Sequence, residues 1–439
     1  MVESPRPLKS LVVVGLGYVG IPVAALFAKS GLKVTGLEVD PKKVDAINKG
    51  HYPIEGDEPG LPELIAETVG KGTLKASLDP AVVRDADAVI LCVQTPFDTK
   101  TGEPRYEHLK AALKGVGKNM RKGTLVVVES TIAPTTMDRV VRPTLEEASG
   151  MKAGADFLLG NCPERVMPGK LLHNLESYDR VLGGIDAVTH SRMKELYSRI
   201  VKAPLDPVDM LTAEVVKSFE NTYRDVEIAL ANEFARYCDV LGVDFFEVRE
   251  LVNRVESRNL HLPGAGVGGH CIPKDTYLLA YGTKGRFHPE LMLLARKVND
   301  AMPDYMADLT KRALEKAGQK AKGSTVAVLG YSYLGDSDDV RNTPADPYID
   351  AMRQAGATVR VHDPLVAEGF GPGPVQHDLD AVVKDADAVV VLTAHKQYKT
   401  LDLNQLRKKM RTAVLVDGRR VYQRADAEKA GFMFEAVGY

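Results

Sequence analysis

The chain is predicted to be an α/β protein: two Rossmann-like doubly wound parallel-sheet domains joined by a long central helix. Three observations carry that prediction. Near the start, an apolar β-branched run, Leu11-Val-Val-Val14, enters Gly15-Leu-Gly17-Tyr18-Val19-Gly20 and then a helical stretch, 21–29. In the last third the pattern partly returns. Thr325-Val-Ala-Val-Leu-Gly330 precedes Gly356 to Pro364 as the first run precedes Gly31 to Pro41, and both copies continue into a strand opened by Asp-Ala-Asp-Ala, at Asp85 and Asp385. Short apolar strands alternating with helices specify parallel sheets with right-handed crossovers. Between the copies, Val215, Val216, Phe219, Tyr223, Val226, Ala229 and Leu230 follow helical spacing within 212–241, and Gly242 stops the run. The expected boundaries are 1–205 for the first domain, 206–315 for a central helical dimerisation domain and 316–439 for the last.

The first glycine turn has the context of a dinucleotide fingerprint: strand before, helix after, acidic residue at the end of the next strand. Gly15 permits the tight turn, Gly17 admits a pyrophosphate, and Gly20 lets helix and strand approach. The helix N-terminus favours the phosphates. Glu38, closing the strand 33–37, can accept hydrogen bonds from both ribose hydroxyls and would repel a 2′-phosphate, so NAD is expected over NADP. Asp40 before Pro41 reads as an N-cap with proline at N1. The second copy runs Gly330-Tyr-Ser-Tyr-Leu-Gly335 without the middle glycine, so it is expected to bind something other than a dinucleotide.

Candidate chemistry follows along the chain. Strand C-termini of parallel sheets face the ligand crevice, which puts Thr95-Pro96 and Glu129-Ser-Thr131 at one edge; ordinary turn chemistry explains them equally well. Glu164, in Asn161-Cys-Pro-Glu-Arg, is either a general base or an exposed partner of Arg165. Lys217 and Asn221 share a helix face, as an oxyanion-binding pair or as a solvated lysine and a tolerated asparagine. Gly264-Ala-Gly-Val-Gly-Gly-His-Cys271 holds four glycines in six residues before a cysteine, with Asp275 one helical turn on. That layout suits a covalent nucleophile with a polar partner; a buried cysteine beside a loop is the bland alternative.

Composition narrows the class. Hydrophobic residues are 44% and charged residues 26% of 439, which is the globular range. A formal net charge of −2 gives no electrostatic case for nucleic acid or an anionic membrane, and no apolar run is long enough to span one. Cys92, Cys162, Cys238 and Cys271 are scattered without metal-ligand spacing, so no metal is expected, and a reducing cytoplasm is the expected compartment.

Taken in order, Gly-Leu-Gly-Tyr18-Val19-Gly, Cys-Val-Gln-Thr95-Pro, Glu-Ser-Thr131, Glu-Val-Val-Lys217-Ser-Phe-Glu-Asn221, Gly-Gly-His-Cys271-Ile-Pro-Lys274-Asp275 and Asp-Val-Arg341-Asn-Thr-Pro resemble the UDP-glucose/GDP-mannose dehydrogenase family over essentially the whole chain. Cys162 to Gly169, Tyr178 to Gly184 and Gly-Gly-His270-Cys-Ile-Pro look most like the branch acting on UDP-N-acetyl-D-mannosamine. The resemblance implies an N-terminal NAD domain, a dimer-forming central helix, a C-terminal UDP-sugar domain, and oxidation of a sugar C6 alcohol to a carboxylate using two NAD. It implies Cys271 as the nucleophile, with Lys217, Asn221, Glu164, Asp275 and Thr131 around the reaction. It places Gly15, Gly17, Tyr18, Val19, Gly20, Glu38, Thr95, Thr131 and Lys274 at NAD. At the sugar nucleotide it places Glu164, Arg165, Val166, Lys217, Asn221, Gly268 and Arg341, with Arg254 or Arg258 reaching the neighbouring subunit's substrate. Two rival readings stand. One is a two-step dehydrogenase for UDP-glucose, UDP-N-acetylglucosamine or GDP-mannose; the other is a single-step or non-catalytic NAD protein with no need of Cys271.

Overall fold

The computed structural model describes residues 7–54, 58–165 and 169–439. The chain divides into two compact units: residues 1–220 with 277–288, and residues 221–276 with 289–439.

The first unit is built on ten strands. They are β1 (Ser10–Val14), β2 (Lys33–Leu37), β3 (Leu74–Ser77), β4 (Ala88–Leu91), β5 (Phe97–Asp98), β6 (Glu103–Pro104), β7 (Leu125–Val128), β8 (Leu158–Asn161), β9 (Arg180–Gly184) and β10 (Leu205–Val208). β5 and β6 form a small antiparallel pair. The other eight lie in the order β10-β9-β8-β7-β4-β1-β2-β3, parallel except where β8 meets β9. Chain order reverses between β1 and β4, the crevice where such sheets bind ligands. β4, β7 and β8 are buried at every position, as strands covered on both faces must be. Separate apolar clusters pack on the two faces, one around Phe27 and Leu26, the other around Leu109, Leu113 and Leu145.

The second unit carries β11 (Thr325–Leu329), β12 (Thr358–His362), β13 (Val375–Gln376), β14 (Ala388–Val391), β15 (Val414–Asp417) and β16 (Met433–Ala436), all parallel, in the order β13-β12-β11-β14-β15-β16. The internal repeat is therefore a repeated sheet, and the tetrapeptide that marks it has a structural task. Asp87 accepts the backbone N–H of Ser10 at 3.0 Å and an Arg121 N–H at 2.8 Å. Asp387 accepts the N–H of Thr325 at 2.8 Å and an Arg411 N–H at 2.8 Å. Each aspartate fixes the start of the strand beside its own.

The helix Met210–Leu241 runs through the point where the two units divide. It stops at Gly242, whose φ of +69° closes the last turn and lets the Val243 N–H reach the Cys238 carbonyl at 3.0 Å. Phe219, Tyr223, Leu230, Phe234, Tyr237 and Leu241 form an exposed apolar stripe along it at spacings of 4, 7, 4, 3 and 4.

Candidate active site

In the first unit, the turn after β1 is shaped by its glycines. Gly15 has φ +89°, and a Cβ on Gly20 would stand 1.8 Å from the Gly15 carbonyl oxygen, so neither position tolerates a side chain. A Cβ on Gly17 would meet nothing within 4 Å: the glycine there leaves open room on the ligand side of the turn. Tyr18 and Val19 complete the turn, and the helix Gly20–Lys29 starts directly after it. The Glu38 carboxylate is fixed at the end of β2 by the Leu16 N–H at 2.9 Å and the Val39 N–H at 2.7 Å. A positive-φ glycine, a vacant ligand face, a helix N-terminus and an acidic residue at the second strand fit NAD. Asp40 is the N-cap of Pro41–Asn48, accepting from the Lys42 N–H.

At the same sheet edge, the Thr95 hydroxyl donates to the Thr131 carbonyl at 2.6 Å, tying together the segments after β4 and β7. Behind Thr131, the backbone N–H groups of Thr135 and Met137 both donate to Glu214, and Thr135 has a φ of +76° that this clamp holds. Burial pushes the Glu214 carboxyl up to about 7, against those two donors. Lys217, one turn further along the helix, is buried rather than solvated. Glu164 is buried too, and its partner corrects one of the two readings of this residue. Arg165 sends its guanidinium to Glu220 and the Asp179 carbonyl; only its backbone N–H meets Glu164, at 2.6 Å. The ion-pair partner of Glu164 is Arg180. Val166 lies outside the described residues.

The second unit holds the cysteine loop. Cys271 is half-buried and immediately precedes the helix Ile272–Gly282, where the Asp275 N–H donates to the Cys271 carbonyl. Asn221 donates to Asp275 at 2.6 Å, so the asparagine is engaged, and Lys274 stands 3.7 Å from the same carboxylate. The glycine run is held at several points. Asn232 accepts the Gly264 N–H, Arg419 donates to the Gly266 carbonyl at 3.0 Å, the Gly269 N–H donates to the Arg341 carbonyl, and Asn342 donates to the Gly269 carbonyl. A Cβ on Gly268 would fall 2.3 Å from the side chain of Tyr333. His270 is pushed down to about 3 by burial and then by Lys274 and Arg341, so its ring is neutral at physiological pH. The Arg341 side chain itself pairs with Asp339. Arg254 and Arg258 are both exposed, with hydrogen bonds to Glu250 and Ser257, their near neighbours in sequence.

Beside the loop lies a cavity of about 410 Å³ whose lining includes Gly264, Gly266 and Gly268 with Arg224, Phe246, Tyr333, Arg419 and Arg420. Three guanidiniums around a glycine backbone suit a diphosphate. None of these three arginines is predicted from the sequence pattern, although Arg419 and Arg420 follow β15 at the C-terminal edge of a parallel sheet, where a ligand is to be expected. Among the described residues no cluster of metal-ligating side chains occurs, and no helix is long and apolar enough to cross a membrane.

Residues 9–201 match the NAD-binding domain of the UDP-glucose/GDP-mannose dehydrogenase family, residues 211–301 its central domain, and residues 327–424 its UDP-binding domain. A UDP-N-acetyl-D-mannosamine dehydrogenase of Pyrococcus horikoshii is 38% identical over 98% of this chain and 99% of its own. A solved structure of the UDP-D-ManNAc dehydrogenase from Pyrococcus horikoshii superposes with a TM-score of 0.91 at 36% identity, covering 98% of this chain and 99% of that one. The solved NDP-N-acetyl-D-galactosaminuronic acid dehydrogenase of Methanosarcina mazei superposes with a TM-score of 0.86 at 41% identity, covering 98% and 95%.

Proposed function

Since the chain belongs to the UDP-glucose/GDP-mannose dehydrogenase family and is an NAD-dependent nucleotide-sugar dehydrogenase, we propose that it oxidises C6 of UDP-N-acetyl-D-mannosamine from alcohol to carboxylate through covalent intermediates on Cys271. NAD, held at Gly15, Gly17, Gly20 and Glu38, would supply the hydride acceptor for each of two oxidations. The first leaves an aldehyde and releases a proton. The Cys271 thiolate adds to the aldehyde carbon, and the resulting oxyanion needs donors, the role of Lys217 and Asn221. The second oxidation turns this adduct into a thioester. Water attacks it, the C–S bond breaks, and the thiolate and the acid are released. Glu164, with Thr131 and Asp275 as further candidates, takes the proton of that water.

One observation carries the covalent reading: Cys271 ends a glycine backbone pinned by Asn232, Arg419, Arg341 and Asn342, beside a buried Asp275 that accepts from the half-buried Asn221. Such pinning orients a nucleophile; a cysteine that merely fills space does not need it. The uridine diphosphate is assigned to the arginine-lined cavity. The exposed stripe on Met210–Leu241 is assigned to a second copy of the chain, as a homodimer, with Arg254 or Arg258 serving the neighbouring site.

The test is stoichiometry. Wild type should form two NADH per UDP-N-acetyl-D-mannosamine, and Cys271→Ser should form no acid while still binding NAD, since a serine alkoxide is not accessible near neutral pH. Acid formation by Cys271→Ser within severalfold of wild type would remove Cys271 as nucleophile. The Methanosarcina mazei relative, at 41% identity, favours a second reading in which the sugar is the galacto epimer. A kcat/KM panel over UDP-activated N-acetylmannosamine, N-acetylgalactosamine, N-acetylglucosamine and glucose separates them, because a site that bonds the acetamido group in one orientation strands buried groups with the other.

A further inference from the structure

Beneath the strand ends of the first unit lies a largely buried charged cluster. Arg180 opens β9, Glu129 follows β7, Cys162 and Glu164 follow β8, Cys92 follows β4, and Tyr197 ends the helix Ala187–Tyr197. Arg180 is 1% exposed, Glu129 2% and Tyr197 0%. A guanidinium cannot shed its charge, and burying one is tolerated only beside a carboxylate. Two carboxylates compete for this one, and the geometry ranks them. Nη1 of Arg180 makes a close ion pair with Oε2 of Glu164 but stands 4.0 Å from Oε1 of Glu129. Glu129 is served by neutral donors instead: the Tyr197 hydroxyl at 2.7 Å and the Cys92 thiol at 3.4 Å.

We propose that Arg180 is a positioning residue for the hydrolytic step: its buried charge is committed to Glu164, holding that carboxylate in place, with Glu129 as the weaker rival partner. The inference rests on the reading of Glu164 as the base that takes the water proton. Burial holds the other titratable groups facing the cluster towards their neutral forms. Burial pushes the Cys162 thiol up to about 12 and raises the Cys92 thiol and the Tyr197 hydroxyl well above their ordinary values. Burial likewise raises Glu129 to about 7, against the attraction of Arg180.

The experiment is the pH profile of acid formation from UDP-N-acetyl-D-mannosamine, measured on the full chain with NAD for wild type, Glu164→Gln, Arg180→Gln, Glu129→Gln and the double variant Arg180→Gln/Glu129→Gln. Circular dichroism confirms the fold of each. Loss of the guanidinium should move the acid limb of kcat to higher pH, since a neighbouring opposite charge favours the ionised carboxylate. NAD affinity and substrate KM should stay in place, a split that a merely structural role would not give. The double variant, which removes cation and rival carboxylate together, serves if Arg180→Gln alone does not fold. Glu129→Gln should leave the acid limb where it is or lower it. An unmoved limb in a folded Arg180 variant, or a limb raised by Glu129→Gln, overturns the inference. If Glu164→Gln itself forms acid at the wild-type rate, it is the reading of Glu164 as base that falls, a separable result.

Discussion

At the scale of single residues, the contrast between the two glycine turns explains which one takes a cofactor. Gly15 and Gly330 have φ of +89° and +93°, and each donates to the end of the neighbouring strand at 2.8 Å. Leu16 bonds Glu38 as Tyr331 bonds Asp363. The difference is the middle position, Gly17 in one copy and Ser332 in the other, where the serine also bonds Asp363 and His395. Gly17→Ala should therefore leave the melting temperature nearly unchanged, because its methyl meets no protein atom, yet cost NAD affinity by at least tenfold in titration calorimetry. Gly20→Ala should fail at the level of the fold, since its methyl would overlap a carbonyl oxygen. Glu38→Ala should erode the preference for NAD over NADP, read as the ratio of the two kcat/KM values; an unchanged ratio would move the ribose contact elsewhere. The contribution of Glu129 to stability should be lost as pH rises from about 4.5 to 7, because this buried carboxyl with a raised pKa binds its proton more tightly folded than unfolded. Glu129→Gln should flatten that part of a melting curve followed against pH.

Secondary-structure elements show what is legible in a sequence and what is not. The strands after each Asp-Ala-Asp-Ala, the long helix and its glycine stop follow from local pattern, because apolar periodicity and turn chemistry act within a few residues. Glu38 and the glycine turn are legible for the same reason. The Arg180–Glu129–Glu164 cluster is not: Glu129 and Glu164 sit 51 and 16 positions from Arg180 and meet it only because β9, antiparallel to β8, starts beside the ends of β7 and β8. Nothing local distinguishes Arg180 from a surface arginine, and Arg224, on the polar side of an amphipathic helix, is hidden in the same way. The role of Asp87 and Asp387 was visible as a repeat but not as a function. Asp87→Ala and Asp387→Ala should each cost about 1–3 kcal/mol in urea unfolding, since each leaves strand-start N–H groups and an arginine without an acceptor.

For the molecule as a whole, the repeated sheets divide the labour: the copy with an open glycine turn carries the cofactor residues, while the other places its strand ends near an arginine-lined cavity. The stripe on Met210–Leu241 provides the whole-molecule prediction. Phe234→Asp with Tyr237→Asp should give a monomer by sedimentation, while the isolated fold keeps its circular dichroism, because both side chains are exposed, 44% and 65%, in the single chain. A dimer persisting in that variant would place the contact elsewhere. The same stripe has a consequence for abundance. Where two copies cover each other's apolar helix, folding is coupled to mass action, and every tenfold dilution removes about 1.4 kcal/mol from the assembled state. Such a protein is sturdiest where it is plentiful, and a freshly made chain meeting no twin is the form that chaperones and proteases see.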